Sequence, residues 1–233
     1  MKENNSEKMS HDWAEIYRLN EKSGIELNFP SETLVRLFKG NYVKGKPLDY
    51  TGKSVLDVGF GNGNNTLFLA SLGMHVSGIE MHIDICNQVK MKFEKLGLLA
   101  DLRLGTNKQI PFENNSFDFL ISWNVLHYEG NEEYVKAGIR EYARVLNTGA
   151  RIFLSTTGPE HKILTNSKTL GKHTYKIGRK EDFRSGQVHF LFDKPHYLKF
   201  YFEPYFEEIQ IGRIQDGLFQ EKLDWWLLTA KKR

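Results

Sequence analysis

The sequence predicts an α/β fold built around a parallel sheet, and three observations support this prediction. Strand-like and helix-like segments alternate from residue 54 to residue 157, as in consecutive βαβ units. A glycine-rich turn follows the first apolar run of this series, at the point where a helical pattern begins. Two strand-like runs near the end, 205–215 and 222–232, predict a terminal hairpin.

Length and composition indicate one globular domain. The chain has 233 residues, of which 40% are hydrophobic and 26% are charged, which is typical of a soluble protein. The net charge of +3 is too small to indicate nucleic acid binding by itself. The single cysteine, Cys86, excludes an intrachain disulfide and is expected to be a small core residue. Because the sequence lacks an apolar signal region and any run of 18 apolar residues, we expect a cytoplasmic protein without a membrane span.

Residues 1–50 are predicted to form an N-terminal helical cap. Two short helices are expected in it, at 11–21 and 31–40, and Ser31 has the character of an N-cap for the second. The polar segment 44–53 contains glycine and proline and is predicted to connect the cap to the sheet. We therefore expect residues 11–40 to act as a mobile lid over the site.

Residues 51–157 are predicted to form the core of the fold. Its five strands are expected at 54–59, 75–80, 101–106, 117–124 and 150–157. Its helices are expected at 64–72, 83–97 and 131–146, with glycines closing each of them. Residues 158–204 break the alternation and are predicted to be an insertion before the terminal β-hairpin of the core sheet at 205–233.

The glycine turn consists of Gly59, Gly61, Gly63 and the residues between them, at the edge where open α/β sheets bind ligands. Glycine at these positions allows tight turning and close approach of the backbone. Glu80 ends the second strand about 20 residues on, where an acid can hold ribose hydroxyls. Asp57 would repel the pyrophosphate of a dinucleotide at this turn. The two acids favour a nucleoside that carries positive charge, and a glycine turn without a ligand is the alternative.

Four ordered motifs, "VLDVGFGNG", "GIE", "IPFENNSFDFLISWNVLHY" and "EYARVLNTGARIFLSTT", resemble those of class I S-adenosylmethionine-dependent methyltransferases. The similarity extends over residues 51–157. It implies a Rossmann-like three-layer sandwich with a seven-stranded, mostly parallel sheet whose last strand is antiparallel. It also implies that S-adenosyl-L-methionine binds over the carboxyl edge of this sheet and leaves as S-adenosyl-L-homocysteine.

The resemblance implies a role for residues around the glycine turn. Asp57 would lie near the amino group of the cofactor, through the loop or a water molecule. The turn itself would pass under the methionine moiety, with contacts from Gly59, Phe60, Gly61 and Gly63. The resemblance further implies that Glu80 binds the ribose hydroxyls and that Met81 packs on the adenine.

Other implied cofactor contacts come from later and earlier segments. Relatives often carry an acid before the "IPF" segment, but Thr106 stands at that position here, so Thr106 or Asn107 is expected to contact the adenine instead. Trp123 would lie beside the reacting methyl group, with ordinary loop packing as the alternative. In the N-terminal cap, Tyr17 would face the sulfonium and Arg36 would bind the methionine carboxylate, unless they are ordinary helix residues.

The resemblance implies no obligatory catalytic residue, because methyl transfer from a sulfonium depends mainly on alignment and desolvation. His127, after the fourth strand, is the candidate general base, with packing against the loop as the alternative. The candidate acceptor-binding residues are Asn124, Tyr128 and His161. The histidines show no metal-ligand spacing, so no metal is predicted.

The sequence therefore predicts O- or N-methylation of a small-molecule acceptor. The resemblance implies that the insertion, residues 158–204, forms a cap over the acceptor. It carries nine lysines and arginines against five acidic residues, which makes an acidic acceptor one hypothesis and a solvated basic surface the other. A protein or nucleic acid acceptor, a nucleotide-binding oxidoreductase and a non-catalytic binding protein stay open as alternatives. Asp57, and Asn64 in place of a third glycine, disfavour NAD. No nucleic acid partner is expected, and the oligomeric state is not predicted.

Overall fold

The computed structural model describes residues 5–23, 28–45, 49–219 and 221–233. Its helices are α1 (Asn5–Ser23), α2 (Glu32–Lys39), α3 (Asn64–Ser71), α4 (Ile83–Lys95), α5 (Glu132–Val145) and α6 (Pro195–Phe202). Its strands are β1 (Ser54–Val58), β2 (His75–Glu80), β3 (Ala100–Leu104), β4 (Phe117–Trp123), β5 (Leu146–Thr157), β6 (Lys168–Gly171), β7 (Thr174–Lys176), β8 (Val188–Phe190), β9 (Phe206–Leu218) and β10 (Glu221–Lys232). None of the helices in these ranges has the length and apolar character needed to cross a membrane.

Seven strands form the main sheet, in the order β3-β2-β1-β4-β5-β10-β9. The first five pair in parallel, and β10 lies antiparallel between β5 and β9. This topology confirms the predicted Rossmann-like sheet and its antiparallel last strand. The order changes direction at β1, between β2 and β4, which is the switch point where such sheets form a ligand crevice.

Helices cover both faces of the sheet. Successive side chains of a strand point to opposite faces, so a strand whose residues are all apolar must be buried on both. On β1, Leu56 packs in the cluster that contains α5 and α6, whereas Val55 packs in the cluster that contains α2 and α3. Helix α4 packs beside α3 through Val89 and Phe93. Cys86 is fully buried in this same cluster, as predicted, and burial raises the pKa of its thiol.

The N-terminal helices differ from the predicted lid. Helix α1 begins at Asn5 and is longer than expected, and residues 24–27 and 46–48 of the predicted cap and connector lie outside the described residues. Helix α2 has the predicted position, but Leu34 and Phe38 are fully buried against the sheet, where Phe38 contacts Tyr50 and Phe153. The expectation that 31–40 belongs to a mobile lid is therefore wrong, because this helix completes one face of the core.

The junction between α5 and β5 also differs from the sequence prediction. Helix α5 ends at Val145, and β5 begins at once with Leu146 rather than after Gly149. Leu146 pairs with Phe117 of β4, and the register shifts before the next pair, between Phe119 and Arg151. Sheet pairing, which is not local in sequence, therefore determines this boundary.

The insertion forms a second, three-stranded antiparallel sheet, β6-β7-β8, followed by α6. Its apolar side chains Phe190, Phe192 and Phe202 are fully buried in the cluster that contains α5. Its outer part is tied to the terminal hairpin by Arg179, whose guanidinium binds Glu221 at 2.6 and 3.0 Å. The insertion is thus packed onto the core and extends past the carboxyl edge of the sheet.

Candidate functional site

A cavity of about 320 Å³ lies at the carboxyl ends of β1, β2 and β4. This is within the size range of small-molecule sites. Its walls come from α1, the strand ends, the segment 123–129, the insertion and β10. The described residues that line it are Met9, Trp13, Tyr17, Val58, Gly59, Gly61, Ile79, Glu80, Met81, Gly105, Thr106, Asn107, Lys108, Trp123, Asn124, Val125, Tyr128, Glu129, Arg184 and Trp225.

The glycine turn has the left-handed backbone that its composition predicts. The φ angles of Gly59, Gly61 and Gly63 are 68°, 53° and 77°. A Cβ at Gly59 would lie 2.7 Å from a methyl group of Val125, and one at Gly61 would lie 2.3 Å from the hydroxyl of Tyr17. Only glycine fits both the backbone conformation and the space. The turn therefore presents bare backbone to the cavity through Gly59 and Gly61.

Two buried acids stand behind the glycine turn. The backbone N–H groups of Gly61 and Met81 donate to the two oxygens of Glu80, at 3.1 and 2.7 Å. Asp57 lies deeper and accepts a hydrogen bond from the Thr66 hydroxyl at 2.7 Å. Burial raises the pKa of Asp57 to about 7, with Thr66 opposing the shift and Glu80 adding to it. Burial also raises the pKa of Glu80, although the N–H donors oppose that shift.

A buried chain of hydrogen bonds ends in a second carboxylate at the cavity. The hydroxyl of Tyr142 lies 3.0 Å from that of Ser122 and donates to Oδ1 of Asn107. Nδ2 of Asn107 in turn donates to Oε1 of Glu129 at 2.7 Å. Burial raises the pKa of Glu129, while Asn107 and Lys108 oppose the shift. Because every member is bonded to the next, the position of the Glu129 side chain is well defined.

One face of α1 forms a side of the cavity. Met9, Trp13 and Tyr17 lie four residues apart and so share this face. The ring of Trp13 lies 5.5 Å from that of Tyr17, 5.7 Å from that of Tyr128 and 4.8 Å from that of Phe183. Helix α1 therefore contacts both the segment after β4 and the insertion, so that the cavity is covered from the N-terminal side.

Aromatic rings and one arginine form another part of the lining. Trp123 and Trp225 contribute indole rings, and Tyr128 contributes a phenol. The Nε and NH2 groups of Arg184 bind the two oxygens of Asp182, each at 2.7 Å, and NH1 lies 3.5 Å from the Tyr128 hydroxyl. This bidentate pairing holds the guanidinium in one orientation. The region can therefore offer flat apolar surface and a fixed hydrogen-bond donor to a second ligand.

Three histidines lie behind this wall rather than in it. The ring of His127 lies 4.3 Å from Tyr128 and 5.4 Å from His189, and the ring of His161 lies 4.4 Å from Trp225. Burial lowers the pKa of His161 to about 4 and of His189 to about 3, and it lowers the pKa of His127 well below the ordinary value. Nearby positive groups add to each shift. All three rings are therefore neutral near pH 7.

The structure brings most of the predicted site residues to the cavity. The predicted residues that line it are Tyr17, Gly59, Gly61, Glu80, Met81, Thr106, Asn107, Trp123, Asn124 and Tyr128. Three predicted cofactor residues, in or next to the glycine turn, have side chains or positions that face the protein interior and do not line the cavity. Asp57 bonds to Thr66, Phe60 packs with the apolar cluster of α4, and a Cβ at Gly63 would meet Val89.

The remaining three predicted site residues lie away from the lining. Arg36 is on the exposed face of α2 and pairs with Glu32 at 2.6 Å, because the opposite face of that helix is buried in the core. His127 is fully buried behind Tyr128. His161 accepts the backbone N–H of Ile163 at 3.0 Å and caps a short 3₁₀ turn. The described geometry gives none of these three side chains a direct contact with a ligand in the cavity.

Sequence reasoning missed several lining residues, among them Trp13, Glu129, Arg184 and Trp225. A signal was present for Trp13, which precedes Tyr17 by one helical turn. Arg184 and Trp225 come from the insertion and the terminal hairpin, so only the tertiary fold brings them to the strand ends. In the described ranges, no group of three or more His, Cys, Asp or Glu side chains is arranged to hold a metal ion.

Comparisons with known proteins agree with this geometry. Residues 55–149 match a family described as a methyltransferase domain. A ubiquinone biosynthesis O-methyltransferase of Xanthomonas oryzae is 29% identical over 117 residues, which cover 50% of this chain and 47% of that protein. The matched segment spans about half the length of most of these curated relatives, and 20% of one longer bifunctional protein.

Two solved structures share the fold. An S-adenosylmethionine-dependent methyltransferase of Methanosarcina mazei has a TM-score of 0.65 and 20% identity, over 78% of this chain and 92% of that one. A phosphoethanolamine N-methyltransferase of Haemonchus contortus, in complex with phosphomonomethylethanolamine and S-adenosylhomocysteine, has a TM-score of 0.62 and 15% identity, over 86% of this chain and 56% of that one. At these identities the likeness concerns the fold alone.

Proposed function

We propose that this chain, whose residues 55–149 match a methyltransferase domain family, is a class I S-adenosylmethionine-dependent methyltransferase that transfers a methyl group from S-adenosyl-L-methionine to a small-molecule acceptor. The observation that carries the proposal is the glycine turn closed by Glu80 at one end of a covered cavity. Aromatic side chains also line this cavity, and we assign them to the acceptor.

The residues around the glycine turn fit this cofactor. Gly59 and Gly61 leave the backbone bare where the methionine part would pass. The Glu80 carboxylate accepts the backbone N–H groups of Gly61 and Met81, and as a carboxylate it has further acceptor capacity for ribose hydroxyls. Asp57 supplies a carboxyl behind the turn that can balance the cofactor's ammonium group. A pyrophosphate would meet two acids here, so the donor set favours a cationic nucleoside over NAD.

S-adenosyl-L-methionine supplies an electrophilic methyl group on a positively charged sulfur. The contribution of the chain is to align the acceptor with that group and to exclude water. Trp13, Tyr17 and Trp123 line the cavity, and their aromatic rings can stabilise a cation. His127 is buried behind Tyr128, so we propose that it positions the Tyr128 ring instead of taking a proton from the acceptor.

The acceptor region supports a small, flat molecule that carries an oxygen or an acidic group. Tyr128 and Trp225 offer aromatic surface, and the fixed guanidinium of Arg184 offers a donor. Two similar proteins, a ubiquinone biosynthesis O-methyltransferase and a phosphoethanolamine N-methyltransferase, are named for the methylation of small molecules, which supports this class of acceptor. We propose that the acceptor is acidic, which predicts that its apparent affinity falls as the salt concentration rises.

Cofactor binding is tested by calorimetry with S-adenosyl-L-homocysteine. We expect Glu80→Ala to weaken binding by about 1.5–3 kcal/mol, because two hydrogen bonds to a charged group are lost. Glu94→Ala, at an exposed position of α4, is the matched control and should leave affinity unchanged. An unchanged affinity in Glu80→Ala would remove the assignment of this residue. Thermal stabilisation of the wild-type protein by NAD but not by S-adenosyl-L-homocysteine would instead favour the oxidoreductase alternative.

A further inference from the structure

The main sheet has two edge strands, β3 at one end and β9 at the other. Among the described strands, β3 pairs with β2 on its inner side and has no neighbour on its outer side. An unpaired edge strand presents a row of N–H and C=O groups that can pair with another chain, and proteins usually protect such an edge. The side chains at each edge therefore decide whether it can accept a partner.

Exposed apolar side chains are concentrated at the β3 edge. Leu99, just before β3, is 94% exposed, and Leu104, its last residue, is 53% exposed. Helix α4 packs on β3, and this helix and the segment after it carry further exposed apolar side chains, which are Ile83, Met91, Leu96 and Leu98. In the part of β9 whose side chains the structure describes, no large apolar residue is exposed. Apolar surface beside an unpaired strand marks β3, and not β9, as an association surface.

The hydrogen bonds of β3 determine which of its backbone groups face outward. The N–H of Gly105, directly after the strand, donates to the carbonyl of Glu80 at 3.0 Å, so Gly105 is turned toward β2. Along a strand of a ladder, the N–H and C=O groups of successive residues point alternately to one side and the other. The backbone groups of Ala100, Leu102 and Leu104 therefore point away from β2.

A second copy of the same strand matches these outward groups. In an antiparallel pair centred on Leu102, each Leu102 would exchange both N–H···O bonds with the other, and Ala100 would do the same with Leu104 of the second copy. Asp101 would then stand directly opposite Arg103 of the second copy, at a non-hydrogen-bonded position, where opposite side chains lie closest. A pair centred on Asp101 or on Arg103 would instead place like charges opposite each other.

Charged side chains on this edge also fit a second copy. Within one chain, Nε and NH2 of Arg103 donate to the two oxygens of Asp101 at 2.9 and 2.6 Å, and both side chains are about half exposed. Such an exposed pair contributes little to stability by itself. Beside a second copy, both pairs would join in one network of alternating charge. The two-fold axis would also bring the first turn of α4, which contains Asp84, toward the last turn of the other α4, which contains Lys92 and Lys95.

We propose that two copies of this chain associate through β3, in an antiparallel pair centred on Leu102, so that their main sheets form one continuous sheet. The partner is a second copy because the edge is complementary to itself. Under one two-fold axis, outward backbone groups meet each other, unlike charges meet, and exposed apolar side chains are covered. The association does not depend on the proposed function.

The test uses two charge reversals that disrupt the pair separately and restore it together. Asp101→Arg gives a chain with arginine at both positions, and Arg103→Asp gives a chain with aspartate at both, so each variant would meet like charges in its own dimer. In a mixture, the arginines of one chain lie opposite the aspartates of the other. Analytical ultracentrifugation over a range of concentrations measures association. The matched control is Asp216→Arg, at an exposed position of the other edge strand, β9.

We expect wild-type protein and Asp216→Arg to form dimers. Each reversal at β3 should weaken association by about tenfold or more, because like charges opposite each other are strongly unfavourable at an interface. Mixing the two variants should restore association. Arg103 also donates to the carbonyl of Pro111 at 2.6 Å, so its reversal removes a contact within the chain, but mixing would not repair that loss.

Three results would overturn the proposal. The first is a wild-type protein that is monomeric at every concentration. The second is a mixture that associates no better than its two components. The third is a dimer that Asp216→Arg dissociates or that neither reversal at β3 weakens, because its interface would then lie elsewhere on the molecule.

Discussion

At the residue scale, Asp57 combines deep burial with a place directly behind the glycine turn. Burial raises its pKa from the ordinary value of 3.8 to about 7, so the carboxyl is close to half ionised at neutral pH. A positive charge placed near it favours the ionised form and lowers the pKa again. The proposed cofactor carries such a charge on its amino group, so binding and ionisation of Asp57 are linked.

We expect binding of S-adenosyl-L-homocysteine to release a proton when the pH is at or just below 7. Since the bound state holds fewer protons, affinity should rise as the pH increases toward 7 and become insensitive to pH above it. Calorimetry in buffers with different ionisation enthalpies measures the proton count. Asp57→Asn should reduce this count to near zero, and Asp84→Asn, at an exposed position, should leave it unchanged. Proton uptake, or release that persists in Asp57→Asn, would contradict the linkage.

At the scale of elements, the two N-terminal helices have different tasks. Helix α1 contacts the cavity with one face and is joined to the insertion by a hydrogen bond of 2.9 Å from Gln187 to Asp12. Helix α2 instead buries Leu34 and Phe38 in the core, against one face of the main sheet. Of the two helices in the predicted lid, α1 therefore contacts the cavity and α2 belongs to the core. We expect ligand binding to depend on side chains of α1 and stability to depend on side chains of α2.

We expect Leu34→Ala to lower the free energy of unfolding by about 2–5 kcal/mol, as large-to-small changes in a core do. The folded fraction should still bind S-adenosyl-L-homocysteine with nearly wild-type affinity. Trp13→Ala should do the reverse, weakening binding by about 1–2 kcal/mol through lost aromatic contact while changing stability little. Urea unfolding and calorimetry on both variants check this separation. Unchanged binding in Trp13→Ala would show that α1 does not cover the occupied site.

The elements that could be predicted from the sequence are those specified by local signals. The glycine turn and its strand followed from the spacing of Gly59, Gly61 and Gly63, and the structure has this backbone. The start of β5 at Leu146 could not be predicted, because a partner strand determines it. The side of the cavity formed by Arg184 and Trp225 was likewise beyond prediction, since those residues reach it only through the packing of the insertion and hairpin.

At the scale of the whole molecule, the basic character of the insertion is divided into two groups. Lys162 and Arg179 pair with Glu221 of the hairpin, and Arg184 pairs with Asp182, so these cations are largely compensated. The exposed lysines of the insertion lie outside the cavity lining; they are Lys168, Lys172, Lys176, Lys180, Lys194 and Lys199. These lysines would therefore act on an acidic acceptor through long-range attraction and not through direct contact. Arg184 is the basic residue of the insertion that lines the cavity.

We expect acidic acceptors to lose apparent affinity at high salt and matched neutral acceptors to keep theirs. The physical reason is that the Debye length falls from about 10 Å at 0.1 M salt to about 3 Å at 1 M. The measurement is formation of S-adenosyl-L-homocysteine with acceptor pairs that differ by one carboxylate or phosphate, at the two salt concentrations. If the neutral member of each pair is methylated as well as the acidic one, the lysines are only a solvated surface.

The distribution of tryptophan gives the molecule an optical property. The chain has four tryptophans, and three of them, Trp13, Trp123 and Trp225, line the cavity from three different elements. The fourth, Trp226, is buried and donates its indole N–H to the carbonyl of Phe192, away from that lining. Three of the four indole fluorophores of the chain are therefore at the walls of the cavity. Tryptophan emission depends on the surroundings of the indole ring, so we expect the emission of the unlabelled protein to change when a ligand fills the cavity.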